Sequence, residues 1–201
     1  PSRHHARSRS GLTDYLERNR RVWTEANAEY TDARALEAWR QEEIEWGMFN
    51  VPEASLGVLG DVSGKDVIEL GCGTAYFGGW LARRGARVTG VDLTPAQLET
   101  ASRLQREHGI EFPLLLGTAE EVPYPDASFD FAISEYGAVL WADPERWVPE
   151  AARLLRPGGR FLWSDNYIHQ PTIRVEHQVS RSLAEVTAGL EAAGFTIERR
   201  V

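Results

Sequence analysis

Cysteine is almost absent from this chain of 201 residues, because Cys72 is the single example. One thiol can form neither an internal disulfide nor a multi-cysteine metal site. Histidine, cysteine and acidic residues also do not cluster at the spacing that metal ligands require, so we expect no bound metal.

Long apolar runs are missing as well, since uninterrupted apolar stretches extend over only a few residues. A helix that crosses a bilayer needs about 20 such residues, so we expect no membrane partner. The first residues also lack the charged and then apolar pattern of a secretory leader. These absences together predict a cytoplasmic protein.

Positive charge is in deficit over most of the chain. The net charge is −8, yet residues 1–22 contain six arginines and two acidic residues and so carry +4. The remainder carries −12, and a body this acidic repels phosphate backbones. We therefore expect no nucleic-acid partner. The basic segment itself is open to two interpretations, an RNA-binding arm or a disordered end.

The order of the segments predicts one domain with a helical extension. Apolar residues make up 42% of the chain, which is enough for a packed core. Residues 1–11 are polar and aperiodic and are interpreted as a disordered basic tail. From Leu12 to about Trp46 the pattern is helical, with a new helix predicted to start between Thr31 and Ala33. We thus predict a helical cap over residues 12–50 and a main domain over residues 51–201.

Short apolar strands alternate with helices of 10–15 residues in the main domain. The predicted strands are residues 66–70, 87–91, 111–116, 129–134, 160–164 and 195–201. This alternation implies right-handed crossovers and a mainly parallel sheet. The predicted fold class is α/β, a doubly wound sheet with helices on both faces.

The turn after the first of these strands carries the clearest chemical signal. Gly71 and Gly73 let a ligand lie against the main chain, and Asp92 ends the next strand, where its carboxylate can accept hydrogen bonds from ribose hydroxyls. A dinucleotide site would have a third glycine where Tyr76 stands. The carboxylate of Glu69 beside the turn suits an ammonium group better than a pyrophosphate. This combination points to S-adenosylmethionine (SAM).

Five segments resemble the signatures of the class I SAM-dependent methyltransferases, which have a Rossmann-like fold. In order, they are residues 69–74 (ELGCGT), 90–95 (GVDLTP), 118–126 (TAEEVPYPD), 128–134 (SFDFAIS) and 154–159 (LLRPGG). Together they cover roughly residues 62–165. The resemblance implies methyl transfer from SAM to a small-molecule acceptor, with S-adenosylhomocysteine as product, and says nothing about which acceptor.

The resemblance also implies a set of cofactor-binding residues. They are Glu69, Gly71, Cys72, Gly73, Thr74, Asp92, Leu93, Thr118, Ala119, Glu120 and Ser134. Glu69 would hold the methionine amine through water, Asp92 the ribose, and Leu93 would pack on adenine. Two positions depart from the family pattern: Ala75 stands where glycine is frequent, and Thr118 where an Asp or Asn often pairs with adenine.

The acceptor side is less well defined by the sequence. Glu135 and Tyr136 follow the predicted fourth strand, and this segment lacks the Asn/Asp-Pro-Pro-aromatic pattern used for planar amide or base nitrogens. Glu135 is interpreted as a base, as a group that binds a cationic acceptor, or as a group that only orients the backbone and the cofactor. Tyr136 is interpreted as a wall of the pocket or as a hydrogen-bond donor. His169 and His177 lie where related enzymes place acceptor-binding residues, and we select His169 as a candidate base.

Two tryptophans are predicted to contact the acceptor, because helical caps in similar enzymes shape the pocket. Trp46 belongs to the predicted cap, and Trp141 follows the fourth strand. Simple packing of the cap on the core is the alternative for Trp46. We expect a monomer or a homodimer.

Two rival functions remain open at this point. The same fold could serve a non-catalytic SAM-binding regulator or partner, and a nicotinamide-dependent oxidoreductase is disfavoured by Glu69 and Tyr76. The resemblance implies a sheet of seven strands, of which six are visible. We therefore expect that segments of the natural chain are omitted near residues 165–181 and after residue 201.

Overall fold

A nearly continuous helix forms the N-terminal part of the computed structural model, which describes residues 9–47 and 49–164, together with residues 191, 192 and 194. Helix α1 (Arg9–Ala26) passes into a π-helical segment (Asn27–Thr31) and then into α2 (Asp32–Arg40). Helix α2 begins at Asp32, between Thr31 and Ala33 as predicted, but it continues the preceding helix, because Thr31 keeps helical dihedral angles. The carboxylate of Asp32 accepts a hydrogen bond from Arg103 at 2.7 Å.

A small hairpin follows, where the sequence predicted further helix up to Trp46. Strands β1 (Glu45–Trp46) and β2 (Val51–Pro52) pair in antiparallel fashion and span the predicted boundary between residues 50 and 51. A short helix, α3 (Glu53–Leu56), comes next. The extended backbone lets Ile44, which is fully buried, and Trp46 reach the same apolar cluster as Phe77.

A parallel five-stranded sheet forms the main body, which confirms the predicted fold class. Its strands are β3 (Asp66–Leu70), β4 (Arg87–Asp92), β5 (Leu114–Leu116), β6 (Phe129–Glu135) and β7 (Leu155–Ser164), in the order β5-β4-β3-β6-β7. The helices are α4 (Tyr76–Arg83), α5 (Pro95–His108), α6 (Ala138–Trp141) and α7 (Pro144–Leu154). The strand order reverses between β3 and β6, where ligands bind in open α/β sheets.

Two strands differ from their predicted bounds by more than one residue. The third predicted strand, residues 111–116, keeps only Leu114–Leu116, because Pro113 has no N–H and the carbonyl of Phe112 accepts a hydrogen bond from Gln105 instead. Strand β7 starts five residues earlier than predicted, with an irregularity that moves the pairing from Phe129–Leu155 to Phe131–Arg160. The predicted sixth strand and the segments around 165–181 lie outside the described residues.

Apolar side chains cover both faces of the sheet. One cluster joins Ile68 and Ala132 to Trp147 and Leu154 of α7. A second cluster, on α4, joins Val67 to other buried residues, among them Phe77, Trp80 and Leu81. In the part of the chain that the structure describes, no helix has both the length and the apolar character to cross a membrane.

Candidate functional site

A cavity of about 240 Å³ opens at the carboxyl ends of β3, β4 and β6, at the reversal of the strand order. The glycine turn after β3 and the segments that follow β4 and β6 form one wall. Helix α1 forms part of the opposite wall through Leu16, Asn19 and Trp23. The cavity therefore lies between the sheet and the N-terminal helix.

The glycine turn is held in place by a close approach of two backbone segments. Gly71 has a φ of +76°, and a Cβ on it would lie 2.4 Å from the backbone nitrogen of Ala138. In the opposite direction, a Cβ on Gly137 would lie 2.3 Å from the carbonyl oxygen of Gly71. Real Cβ atoms do not approach other atoms so closely, so the sequence needs glycine at both positions for the chain after β6 to rest on the turn.

Ala75, which departs from the family pattern, ends the same turn. It is fully buried and adopts the left-handed conformation, with a φ of 55°, immediately before α4. L-residues pay a steric cost of about 1–2 kcal/mol there, whereas glycine does not. The structure thus explains why glycine suits this position and why alanine, with its single methyl group, is tolerated.

Asp92 lies on the cavity wall with both carboxylate oxygens fixed by backbone donors. Oδ2 accepts a hydrogen bond from the N–H of Gly73 at 2.8 Å, and Oδ1 accepts one from the N–H of Thr94 at 2.8 Å. Burial raises the pKa of Asp92, and these hydrogen bonds oppose the rise. Each oxygen can accept a further hydrogen bond, so the carboxylate can bind two neighbouring hydroxyl groups.

Glu69 and Ser134 are buried beneath the wall and are not among its lining residues. Oε2 of Glu69 accepts a hydrogen bond from the N–H of Gly78 in α4 at 2.9 Å. Burial raises the pKa of this carboxyl group well above its usual value. Ser134 donates to the carbonyl of Leu70 at 3.0 Å and accepts from the N–H of Val139 at 3.2 Å. Ser134 therefore connects β3 to α6.

Thr118 and Ala119 line the cavity, but the neighbouring Glu120 does not. The carboxylate of Glu120 accepts hydrogen bonds from the hydroxyl of Tyr15, from the backbone N–H of Asp143 at 3.0 Å and from Nε of Arg146 at 2.7 Å. Its side chain thus ties helix α1 to the start of α7. A ligand in the cavity could therefore contact Glu120 only through its backbone.

Glu135, at the end of β6, lies on the cavity wall beside two tyrosines. Oε2 accepts a hydrogen bond from the hydroxyl of Tyr76 at 2.6 Å, and Oε1 accepts one from the N–H of Gly47 at 3.3 Å. Burial raises the pKa of Glu135, while the bond from Tyr76 lowers it. Tyr136 also lines the cavity and has a φ of +49°, which is unusual for a residue with a bulky side chain.

The aromatic wall of the cavity consists of Trp141, which was predicted to contact the acceptor, and Trp23 of α1. The rings of Trp23 and Trp141 meet edge to face, with centroids 4.9 Å apart. Asn19 donates to the carbonyl of Trp141 at 2.9 Å. These contacts attach α1 to the segment after β6 and place both indoles on the cavity.

Trp46, predicted to contact the acceptor, is not a lining residue. Its indole N–H donates to Glu53 at 2.7 Å, and its ring packs on Phe77. The structure therefore gives it the packing role that was the alternative. His169, the third catalytic candidate, lies outside the described residues.

Cys72 and Thr74 belong to the part of the turn that lines the cavity. Cys72 is buried, and burial raises the pKa of its thiol well above the usual value. The carbonyl of Thr74 accepts a hydrogen bond from the indole of Trp39 at 2.9 Å, so α2 is attached directly to the turn. Within the described ranges, no group of three or more His, Cys, Asp or Glu residues is placed to hold a metal ion.

Several lining residues were missed as functional candidates, among them Tyr76, Gln97 and Asn19. Tyr76 was used only to argue against a dinucleotide, although its place directly after the glycine turn could have indicated the cavity. Gln97 lies in the first turn of α5. A Cβ on Gly73 would come within 2.5 Å of its side-chain oxygen Oε1. Asn19 gave no signal because only the folded chain brings α1 to Trp141.

Comparisons with known proteins agree with this geometry. Residues 68–163 match the family described as a methyltransferase domain. The chain is 37% identical over 115 residues to malonyl-[acyl-carrier protein] O-methyltransferase of Serratia marcescens, which covers 57% of this chain and 44% of that protein. The chain spans less than half the length of the curated relatives it matches.

Solved structures give the same result. The YcgJ protein of Bacillus subtilis matches with a TM-score of 0.63 and 29% identity over 70% of this chain and 65% of that one. Geranyl diphosphate methyltransferase in complex with SAM matches with a TM-score of 0.50 and 28% identity over 55% of this chain and 46% of that one. Residues 68–163, which contain all five segments that resemble the class I SAM-dependent methyltransferase signatures, are thus similar to methyltransferase domains in both sequence and fold.

Proposed function

We propose that this chain transfers a methyl group from SAM to a small-molecule acceptor and releases S-adenosylhomocysteine. The observation that carries the proposal is the carboxylate of Asp92, which lies on the cavity wall and is fixed by the N–H of Gly73. An acid at the end of β4 beside a glycine turn at the end of β3 suits a ribose and an adjoining chain that lies against the backbone.

The residues around the cavity fit this cofactor. The turn of residues 71–74 would lie under its amino-acid part, Asp92 would accept hydrogen bonds from the ribose, and Leu93 would pack on adenine. Backbone at Thr118 and Ala119 would meet the adenine edge. Glu69, which lies beneath the wall, would hold the amine through water. When bound, SAM supplies the reactive methyl carbon on a sulfonium.

The protein itself would orient the reactants, exclude water and accept a proton. Glu135 is the candidate base, because it lies on the wall and its pKa is raised by burial. Tyr136 would form the adjacent wall and Trp141 the aromatic side of the acceptor site. His169 stays a prediction. Glu120 would support the site through its hydrogen bonds to α1 and α7.

The acceptor is not fixed by family membership. One relative is named for malonyl-[acyl-carrier protein] and another for geranyl diphosphate, which are chemically unlike. We propose a small molecule as acceptor. The cytoplasmic location, the monomeric or homodimeric state and the absence of nucleic-acid partners stay predictions.

Calorimetric titration with SAM, S-adenosylhomocysteine and NAD⁺ tests the cofactor assignment. We expect the first two to bind and NAD⁺ not to bind. A screen of metabolites with methyl-labelled SAM then tests turnover, through a mass gain of one methylene in the acceptor. SAM binding without any methyl transfer would favour the non-catalytic regulator instead, and preferential NAD⁺ binding would contradict the assignment.

The N-terminal helices are proposed to act as a cap on this site. Leu16, Asn19 and Trp23 line the cavity from α1. Removal of residues 1–11 should therefore leave SAM affinity unchanged, whereas removal of residues 1–46 should abolish turnover. Full activity in the longer truncation would show that the helices are not a cap.

A further inference from the structure

Tyr76 and Glu135 form a hydrogen-bonded pair on the cavity wall. Tyr76 is the first residue of α4, directly after the glycine turn, and Glu135 is the last residue of β6. The phenol donates to Oε2 over 2.6 Å, a distance typical of a strong bond to a carboxylate. Both side chains line the cavity, so the pair faces whatever molecule lies beside the glycine turn.

The second oxygen of Glu135 is held more weakly. Oε1 accepts from the N–H of Gly47 at 3.3 Å, which is longer than the usual range for such bonds. Glu69 from β3 interacts electrostatically with this carboxylate, and Tyr136 from the segment after β6 interacts with Tyr76 of the pair. Repulsion from Glu135 adds to the rise in the pKa of Glu69. Oε1 is thus the oxygen that can accept a further hydrogen bond from a ligand.

The backbone after Glu135 is strained in a way that keeps the pair in place. Tyr136 has a φ of +49°, and Gly137 has φ −93° and ψ −120°. The positive φ of Tyr136 is unfavourable for a residue with a bulky side chain and persists where the surroundings impose it. Here the contact of Gly137 with Gly71 and the bond from the N–H of Tyr136 to the carbonyl of Ser164, 3.1 Å, impose the conformation.

We propose that Tyr76 and Glu135 form the acceptor subsite, and that it selects an amine or an alcohol over a carboxylate. The inference rests on the proposed methyl transfer. The acceptor heteroatom would donate its proton to Oε1 of Glu135, while Tyr76 positions the carboxylate through Oε2. Its lone pair forms the new bond to the methyl carbon, the carbon–sulfur bond breaks with its electron pair on sulfur, and Glu135 keeps the proton. A carboxylate ligand has no such proton at neutral pH and is repelled.

Three ring compounds of matched shape test this selection. The probes are 2-naphthylmethylamine, 2-naphthylmethanol and 2-naphthoate, titrated into protein saturated with S-adenosylhomocysteine. We expect the amine to bind at least tenfold more tightly than the carboxylate, with the alcohol in between. The Glu135→Gln variant should bind amine and carboxylate with affinities within about threefold of each other.

The role of Tyr76 is tested by the pH dependence of amine binding. Binding should weaken as pH falls through the pKa of Glu135. Because the phenol bond lowers that pKa, Tyr76→Phe should move the midpoint to higher pH, and Glu135→Gln should abolish the transition. Tyr124→Phe is the matched control, since Tyr124 packs on Phe129 away from the cavity lining and should change nothing. Circular dichroism checks that each variant folds.

Each outcome separates the two proposals. Failure of wild-type protein to bind SAM or S-adenosylhomocysteine contradicts the proposed function itself. With product binding intact, the acceptor inference is overturned if 2-naphthoate binds as tightly as the amine or if none of the three probes binds. An unchanged midpoint in folded Tyr76→Phe protein removes the positioning role of Tyr76.

Discussion

The two ends of the same sheet treat their acidic residues in opposite ways. At the amino ends of β3 and β6, Asp66 and Asp130 share Arg156, at 3.0 and 2.8 Å, and Asp66 also pairs with Arg87 at 2.6 Å. The Arg87 hydrogen bond is the main cause of the lowered pKa of Asp66. The backbone N–H of Asp66, followed by Arg156, lowers the pKa of Asp130.

At the carboxyl ends, burial has the opposite effect. Glu69, Asp92 and Glu135 lie in or under the cavity wall, where their oxygens accept hydrogen bonds from backbone N–H groups and from Tyr76. Burial is the largest cause of the raised pKa of all three. Acids that are buried in this way cost folding energy, and a cationic ligand lowers that cost. The acids at one end of the sheet thus form ion pairs, whereas those at the other end are buried at the cavity.

The largest expected effect concerns the backbone of the binding end. Gly71→Ala would place a Cβ against the backbone of Ala138, in addition to the left-handed conformation. We expect a loss of about 2–5 kcal/mol in the free energy of unfolding, measured by urea denaturation. Gly64→Ala is the control, because Gly64 has a similar φ of +68° with nothing within 4 Å, and should lose only about 1–2 kcal/mol. Equal losses would show that the close approach is unimportant.

Substitution of one acidic residue at each end of the sheet tests whether only the carboxyl end binds the cofactor. Asp92→Ala should weaken SAM binding by more than about tenfold, because two charge-assisted hydrogen bonds of roughly 1.5–3 kcal/mol each are lost. Asp130→Ala should leave SAM binding unchanged and lower the free energy of unfolding by about 1 kcal/mol. Calorimetry and urea denaturation of both variants check this. Unchanged SAM affinity in Asp92→Ala would contradict the ribose assignment.

The smallest effect is a difference in pH dependence. A carboxyl group whose pKa is raised in the folded state, such as Glu135, contributes stability below its unfolded pKa of about 4.3. That contribution is lost as pH rises through the folded pKa. Glu135→Gln should therefore make the free energy of unfolding fall less steeply as pH rises above about 4.3.

For Asp130, whose pKa is lowered, the pH dependence of the free energy of unfolding has the opposite sign. Its contribution is present above about pH 3.9 and is lost as pH falls through its folded pKa. Asp130→Ala should thus lower the free energy of unfolding by the same amount throughout about pH 5 to pH 8, leaving its slope there unaltered, and should change the slope on the acid side. If both variants change the slope in the same pH range, the two ends of the sheet do not differ as described.

The wall of the cavity that the sheet forms could be predicted from the local sequence. Strand period and glycine spacing located β3, the turn at Gly71 and Gly73, and Asp92, because these features depend on neighbours in the chain. The helical wall could not be located in this way. Trp23 and Trp46 both lie in the N-terminal segment, yet only Trp23 lines the cavity, since α1 docks on Trp141 while the hairpin turns Trp46 toward Phe77.

Side-chain roles were harder to predict than positions. Glu120 lies in the predicted adenine loop, but its carboxylate pairs with Arg146 and faces α1 rather than the cavity. Glu69 is also next to the glycine turn, and its carboxylate points to Gly78 of α4. In both cases the family signature gives the place of the residue, and packing decides which way its carboxylate turns.

The π-helical segment between α1 and α2 controls how the cavity is closed. Each residue of an α-helix turns the chain by about 100°, and Asn27–Thr31 is wound more widely than an α-helix. A π-helical turn holds one residue more than an α-helical turn, so if the same residues were wound as a regular α-helix, α1 would rotate by about 100° about its own axis. Trp23 would then leave the cavity while α2 kept its hold on Thr74. The π-helical winding of this segment thus sets which side of α1 a bound molecule meets.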